Sequence, residues 1–281
     1  MPELPEIQTI VNDLNNADLI GTAVAGAQVS WPATIAGCAT GTFYKRIKNQ
    51  IITSIRRRGK YIILDFSGPD TLLIHLRMTG RLHLTETSAP RAKHEHVILK
   101  FGNQRHLRLH DTRKFARLFL VKDPDLILNR LGPEPLMPSF TAKELTKILT
   151  TRKRMIKPLL LDQTIIAGLG NIYTDEALWD AKINPCQSAV FLSCPEIKAL
   201  HRAIRKVLNR GLKNLGTSLG SGKNNFTSIG QNRGYNREYL KVYQRTGLPC
   251  LRCKTVIKRI VVGQRSTHIC EACQTRLKSF V

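Results

Sequence analysis

Acidic residues are scarce in this chain of 281 residues: 20 aspartates and glutamates stand against 44 lysines and arginines, for a net charge of +24. So strong a positive field speeds encounter with polyanions, and contacts to phosphates release counterions, so that affinity falls steeply with salt. The natural partner is nucleic acid. Long apolar runs are missing too, since no stretch approaches the ~18 residues of a membrane-spanning helix. The amino terminus, Met1 to Glu6, has neither the basic nor the apolar region of a signal peptide. There is no internal repeat. These absences set aside membrane and secreted classes and leave a protein of the nucleic-acid compartment.

What is present is enough for a sizeable core: 42% of residues are apolar, and the length suggests about two domains. Ile7, Ile10, Val11 and Leu14 form the stripe of an amphipathic helix, with Pro5 in its first turn and a stop expected near Gly21. From there to about residue 121 the period changes to two, in Ile51–Ile55, Tyr61–Phe66, His96–Phe101 and Arg105–His110. Residues 1–130 therefore read as a β-sandwich with one leading helix, the first part of an α+β chain. Three prolines within 133–138 mark a connector, placed at 131–140. Helices follow over 141–241, where Thr141-x-x-Glu144 and Ser193-x-x-Glu196 are capping-box patterns and the second opens a basic helix running to about Asn214. Glycine, serine and asparagine over 215–235 predict a mobile loop.

The last segment, 242–281, holds Cys250-x2-Cys253 and, after a spacer of 16 residues, Cys270-x2-Cys273. Four thiolates in two close pairs can wrap one tetrahedral zinc, and the spacer fits a β-hairpin. Two disulfides or a redox pair are the other readings of such cysteines, and a reducing compartment favours zinc. With every position filled by cysteine, the ion would be structural. Cys38, Cys186 and Cys194 are scattered and read as small buried apolar side chains.

Met1-Pro2-Glu3-Leu4-Pro5-Glu6 admits two readings. Removal of Met1 would free the secondary amine of Pro2, a nucleophile near neutral pH, able to add to a sugar C1′ and form an iminium. Glu3 and Glu6 would lie beside it to move protons. The plainer reading is a helix start: Pro5 opens the helix and two carboxylates favour its positive end.

Five motifs in register resemble those of the formamidopyrimidine-DNA glycosylases. They are Pro2 to Glu6, Arg58-Gly59-Lys60-Tyr61, His75-Leu76-Arg77-Met78-Thr79-Gly80, the segment from Asp162-Gln163 through Gly168-Leu169-Gly170-Asn171 to Glu176, and the ribbon with Gln264-Arg265-Ser266-Thr267. Leu4, rather than glycine, is closer to this branch than to the endonuclease VIII branch. The resemblance implies a helix-two-turns-helix element around Gly168–Asn171, and Pro2 as nucleophile, Glu3 as the acid opening the sugar ring and Glu6 as a proton-transfer residue. It implies that Lys60 binds phosphate beside the lesion and that His75, Lys157, Asn171, Tyr243 and Arg265 contact the DNA backbone. Met78, Arg113 and Phe115 match residues that fill the void left by a flipped base: phenylalanine wedges, methionine adapts, arginine bonds the orphaned partner.

By the same resemblance the protein would be a monomeric glycosylase and AP lyase of the bacterial cytoplasm and nucleoid. It would act on duplex DNA with 8-oxoguanine opposite cytosine, formamidopyrimidines or abasic sites, by β,δ-elimination, with zinc as its one cofactor. A catalytically silent damage-binding protein and an oxidised-pyrimidine glycosylase of the endonuclease VIII type are the alternatives. Departures exist. Gly216-Thr217-Ser218 runs on to Phe226 without the family's usual Arg-Asp-aromatic sequence, and Arg77 and Gln244 stand where glycine is frequent.

Overall fold

Proline fixes the backbone angle that a first helical turn needs, and with Pro5 there α1 (Leu4–Asn15) buries Leu4, Ile7, Ile10, Val11 and Leu14 along one stripe. In the computed structural model, which describes residues 2–220, 226–230 and 232–275, the helix ends earlier than Gly21. Asp18, left-handed at φ 50°, and a buried Leu19 turn the chain there. Met1 and part of the expected loop lie outside the described residues. The chain divides into two units, Met1–Arg130 with Asn214–Arg237 and Leu131–Lys213 with Glu238–Val281.

The first unit continues with β1 (Val24–Val29), β2 (Ile35–Ala36), α2 (Thr40–Ile47), β3 (Ile52–Arg58), β4 (Tyr61–Phe66), β5 (Thr71–His75), β6 (Arg81–Glu86), β7 (Glu95–Phe101), β8 (Arg105–His110), β9 (Arg117–Val121) and the short α3 (Asp125–Leu128). One sheet has the order β1-β7-β8-β6 and the other β2-β9-β5-β4-β3. Leu99, Leu107 and Leu109 from the first sheet and Ile62, Leu64, Leu72 and Leu118 from the second share a core with Ile10 and Leu14 of α1. Alternation holds on β9. It fails on β4 and β5, where Ile63 and Leu73, paired across the ladder, are also fully buried, so these central strands are apolar on both faces.

The segment 215–235, expected as a mobile loop of the helical part, falls within 214–237, which belongs to the first unit. Its described portion is tied to α1: Glu6 Oε1 accepts from Thr217 N–H at 2.7 Å and Asp13 Oδ2 from Ile229 N–H at 3.1 Å. Ile229 enters the core, and Asn236, fully buried, donates to Thr217 Oγ1 at 2.9 Å. Backbone groups that composition alone would leave to water are satisfied here by acids of the first helix.

The second unit holds α4 (Ala142–Thr150), α5 (Ile156–Leu161), α6 (Asn171–Asp180) and α7 (Cys194–Lys213), then β10 (Lys258–Val262) and β11 (Arg265–Ile269). Thr141 Oγ1 accepts from Glu144 N–H at 3.2 Å, and Ser193 N–H donates to Glu196 Oε2 at 2.7 Å, so both capping signals lie at helix starts. Gly211 of α7 lies where a Cβ would come within 2.5 Å of the Tyr173 hydroxyl, which is why this helix tolerates a glycine. Among the scattered cysteines, Cys38 and Cys186 are half-buried, but Cys194 is exposed, because it opens α7 on the solvent side. No helix among the described residues is long and apolar enough to cross a membrane.

Candidate functional site

Pro2 immediately precedes Glu3, the N-cap of α1, and both Glu3 and Glu6 are buried. Glu6 works as a bracket: Oε2 accepts from Glu3 N–H at 2.9 Å while Oε1 holds Thr217 N–H. Gly216 leaves the room this needs, since a Cβ there would meet Glu6 Cγ at 2.9 Å, and its φ of +85° suits glycine. Lys60, also buried, sits on the tight turn that joins β3 to β4 after Gly59, whose φ is +56°. Arg57 ties that turn to α1, donating to Gln8 Oε1 and Gly59 O, both at 2.9 Å. The structure thus brings the Lys60 turn onto the helix that carries the amino terminus.

His75 ends β5, edge-on to Tyr61 with ring centroids 4.8 Å apart. Its Nδ1 accepts from Arg77 N–H at 3.1 Å, so Nε2 carries the proton. Burial, with the Arg77 and Lys60 cations nearby, holds the imidazole pKa down to about 3. It is a neutral donor throughout the physiological range.

Met78, Arg113 and Phe115 converge. The Arg113 guanidinium lies 4.5 Å from the Phe115 ring centre and its Nη1 is 3.6 Å from Met78 Sδ. Met78 is 45% and Phe115 42% exposed, so neither side chain belongs to the core. Sequence reasoning missed the acid beneath them. Asp111, 1% exposed, accepts from Phe115 N–H at 2.7 Å and Ala116 N–H at 2.8 Å. An Asp-Thr-Arg sequence after a strand signals only a local turn.

The candidates of the second unit also gather, though not all as expected. Asn171 opens α6 after the N-cap Gly170, and its Nδ2 donates to Ser266 O at 2.9 Å. Lys157 does not present its ammonium to solvent. Fully buried, it donates to Asp175 Oδ1 at 2.5 Å, Thr267 Oγ1 at 2.7 Å and Ser266 O at 3.0 Å. The reason is a buried charge finding its counter-charge, with Asp175 Oδ2 also accepting from His268 N–H at 2.9 Å. Tyr243 stacks edge-on to His268 at 4.7 Å, and its N–H donates to Glu176 Oε1 at 3.0 Å. Arg265 is exposed directly after a two-residue turn, Gly263-Gln264, in which both φ values are positive, the geometry a tight hairpin prefers. A Cβ at Gly263 would meet Pro158 Cγ at 2.7 Å, so α5 and the hairpin tip approach through this glycine.

The ligand sulfurs of Cys250, Cys253, Cys270 and Cys273 lie within 4.8 Å of one another, with Cys253 Sγ 3.4 Å from Cys270 Sγ. These separations fit four thiolates about one tetrahedral zinc with Zn–S near ~2.3 Å. In the protein alone, burial pushes the Cys270 thiol up to about 12, while hydrogen bonds from Thr255 lower Cys253 to about 6. A dication is what allows all four to be thiolates together. Cys250, Cys270 and Ile257 pack on Trp179, so the cluster is continuous with α6.

A sandwich bearing an amino-terminal proline over buried acids, a helix-two-turns-helix element and a four-cysteine ribbon define the class of zinc-ribbon DNA glycosylases. Family models match the formamidopyrimidine-DNA glycosylase N-terminal domain over residues 1–118, its H2TH domain over 131–221 and the zinc finger found in FPG and IleRS over 247–276. The formamidopyrimidine-DNA glycosylase of Protochlamydia amoebophila is 42% identical over 276 residues, covering 98% of this chain and 100% of its own. That of Moorella thermoacetica is 43% identical over 269 residues, covering 92% and 94%. Among solved structures, a Lactococcus lactis FPG variant bound to Fapy-dG-containing DNA superimposes with a TM-score of 0.91 at 34% identity, covering 98% of this chain and all 100% of that one. MutM in complex with carbocyclic 8-oxo-G-containing DNA has a TM-score of 0.90 at 36% identity with the same coverage, 98% and 100%. The chain belongs to the formamidopyrimidine-DNA glycosylase family.

Proposed function

We propose that the protein excises oxidised purines, 8-oxoguanine and formamidopyrimidines, from duplex DNA and then nicks the strand, with Pro2 as the nucleophile. The carrying observation is the arrangement at the start of α1, where Pro2 precedes two buried acids in a chain related over its whole length to enzymes of this activity. The free amine of Pro2 attacks C1′, the base leaves with a proton, and the Pro2 nitrogen becomes an iminium once the ring oxygen is protonated by Glu3. Loss of a C2′ proton expels the 3′ phosphate, a second elimination expels the 5′ phosphate, and water releases the sugar remnant from Pro2. Glu6, bonded to the Glu3 and Thr217 amides, holds the helix start in register and relays protons.

Lys60, His75, Asn171 and Arg265 bind phosphates, and Tyr243 contacts the DNA backbone. Met78, Arg113 and Phe115 enter the vacated stack, where they offset the few kcal/mol lost on flipping a base. Zinc is structural and enters no step. The catalytic unit is 1–130 with the segment 214–237, the connector is 131–140, the DNA unit is the remainder of 141–241 with the ribbon at 242–281, and the enzyme works alone on the nucleoid of the bacterial cytoplasm.

Borohydride reduction with a lesion-bearing duplex tests this directly. A covalent adduct on Pro2, in protein whose mass shows Met1 removed, is expected. No adduct would leave a silent damage-binding protein, and preference for thymine glycol over 8-oxoguanine would move the protein to the endonuclease VIII type. An active preparation that retains Met1 would remove Pro2 from the mechanism.

A further inference from the structure

We infer that Asp111 is the positioning residue for base eversion, joining the two loops that carry Met78, Arg113 and Phe115 into one wedge. This rests on the reading of those three side chains as void fillers. The carboxylate reaches both loops: Thr79 Oγ1 donates to Oδ1 from the Met78 turn, and Arg113 N–H donates to the same oxygen at 3.2 Å from the other. Oδ2 takes the Phe115 and Ala116 amides. The main chain of Asp111 is pinned as well, its N–H to His94 O at 3.0 Å and its carbonyl to Nε2 of buried His96 at 2.9 Å.

Each loop needs such restraint. Arg77, next to Met78, has a φ of 53°, and Lys114, between Arg113 and Phe115, a φ of 59°, both in the left-handed region that non-glycine residues avoid. Conformations of this kind persist only where surroundings over-determine them. Gly80 closes the first loop against Leu76 O, where a Cβ would stand at 2.5 Å, so that loop cannot shift toward its own strand. An aspartate suits the position because its two oxygens can serve four donors. Asparagine would turn an NH2 group toward at least one N–H or O–H.

Because Asp111 acts through the wedge, its loss should cost the step that opens a base pair and spare steps that need no base removed. The test is single-turnover kinetics of D111N and T79V on two duplexes, one with 8-oxoguanine opposite cytosine and one with a preformed abasic site. Excision is expected to slow by about tenfold or more, while cleavage at the abasic site stays within about threefold of wild type, since an abasic nucleotide has no pairing or stacking to lose. T79V cuts only the tie between the loops, so it carries the test if D111N folds poorly. Equal losses on both duplexes, or no loss on either, would overturn the role of Asp111. A failure of the wild-type protein to form a borohydride adduct would instead overturn the assigned activity.

Discussion

At His75 a single side chain links fold, binding and pH. In the unfolded chain the imidazole takes a proton below about 6.5, while in the folded protein it stays neutral to about 3. The native state therefore binds fewer protons across that window, and stability is lost as pH falls through it. Replacing His75 with glutamine is expected to flatten the dependence of unfolding free energy on pH between 6.5 and 3 by up to one proton. Urea titrations at several pH values measure it; an unchanged slope would show that His75 is not the group responsible. Gln244 makes a second residue-scale case. It is exposed with a φ of 56°, so Gln244→Gly relieves a left-handed non-glycine residue and should raise stability by up to ~1 kcal/mol, read as a higher Tm. Where local spacing decides the contact, as in the bracket between Glu3 and Glu6 at the start of α1, the sequence was legible. Lys157 and Asp111 were not. Their partners lie 18 and 110 positions away for Lys157, and 32 positions away for the Thr79 contact of Asp111. No local spacing reports such pairings.

Among elements, those with strong period and capping signals, α4 and α7, formed where the apolar stripe and caps place them, while α1 follows its stripe but stops at Asn15, short of Gly21. The β4 and β5 strands hide their period because both faces are buried, and the ties of Thr217 and Ile229 leave no local signal because their partners are acids of α1. The ribbon is the element whose stability depends on an ion. Its metal-free hairpin has few apolar residues to bury, and structural zinc contributes on the order of 10 kcal/mol to such folds. Chelation is expected to unfold β10 and β11, to red-shift the emission of Trp179, which packs on Cys250 and Cys270, and to lower strand nicking by about tenfold or more. Restoring zinc should reverse all three. Full nicking with four titratable thiols would refute the structural role.

For the whole molecule, the charge of +24 sets how binding responds to salt. The logarithm of affinity should fall linearly with the logarithm of salt concentration, with a slope on the order of −5 for a handful of phosphate contacts. Arg265→Ala should make that slope shallower by about 1, whereas His75→Gln and Asn171→Ala should weaken binding with the slope unchanged, because neutral donors release no counterion. Filter binding or fluorescence anisotropy over a salt series separates the two outcomes, and a slope change in the histidine variant would show it to be charged on DNA.

The tether from Glu6 and Asp13 to Thr217 and Ile229 has a consequence for biosynthesis. As the polypeptide leaves the ribosome, the first 130 residues emerge long before the strap that completes their interior. The half that carries Pro2 is finished only after the intervening helices have been translated, so the nascent enzyme is held immature until most of its length exists.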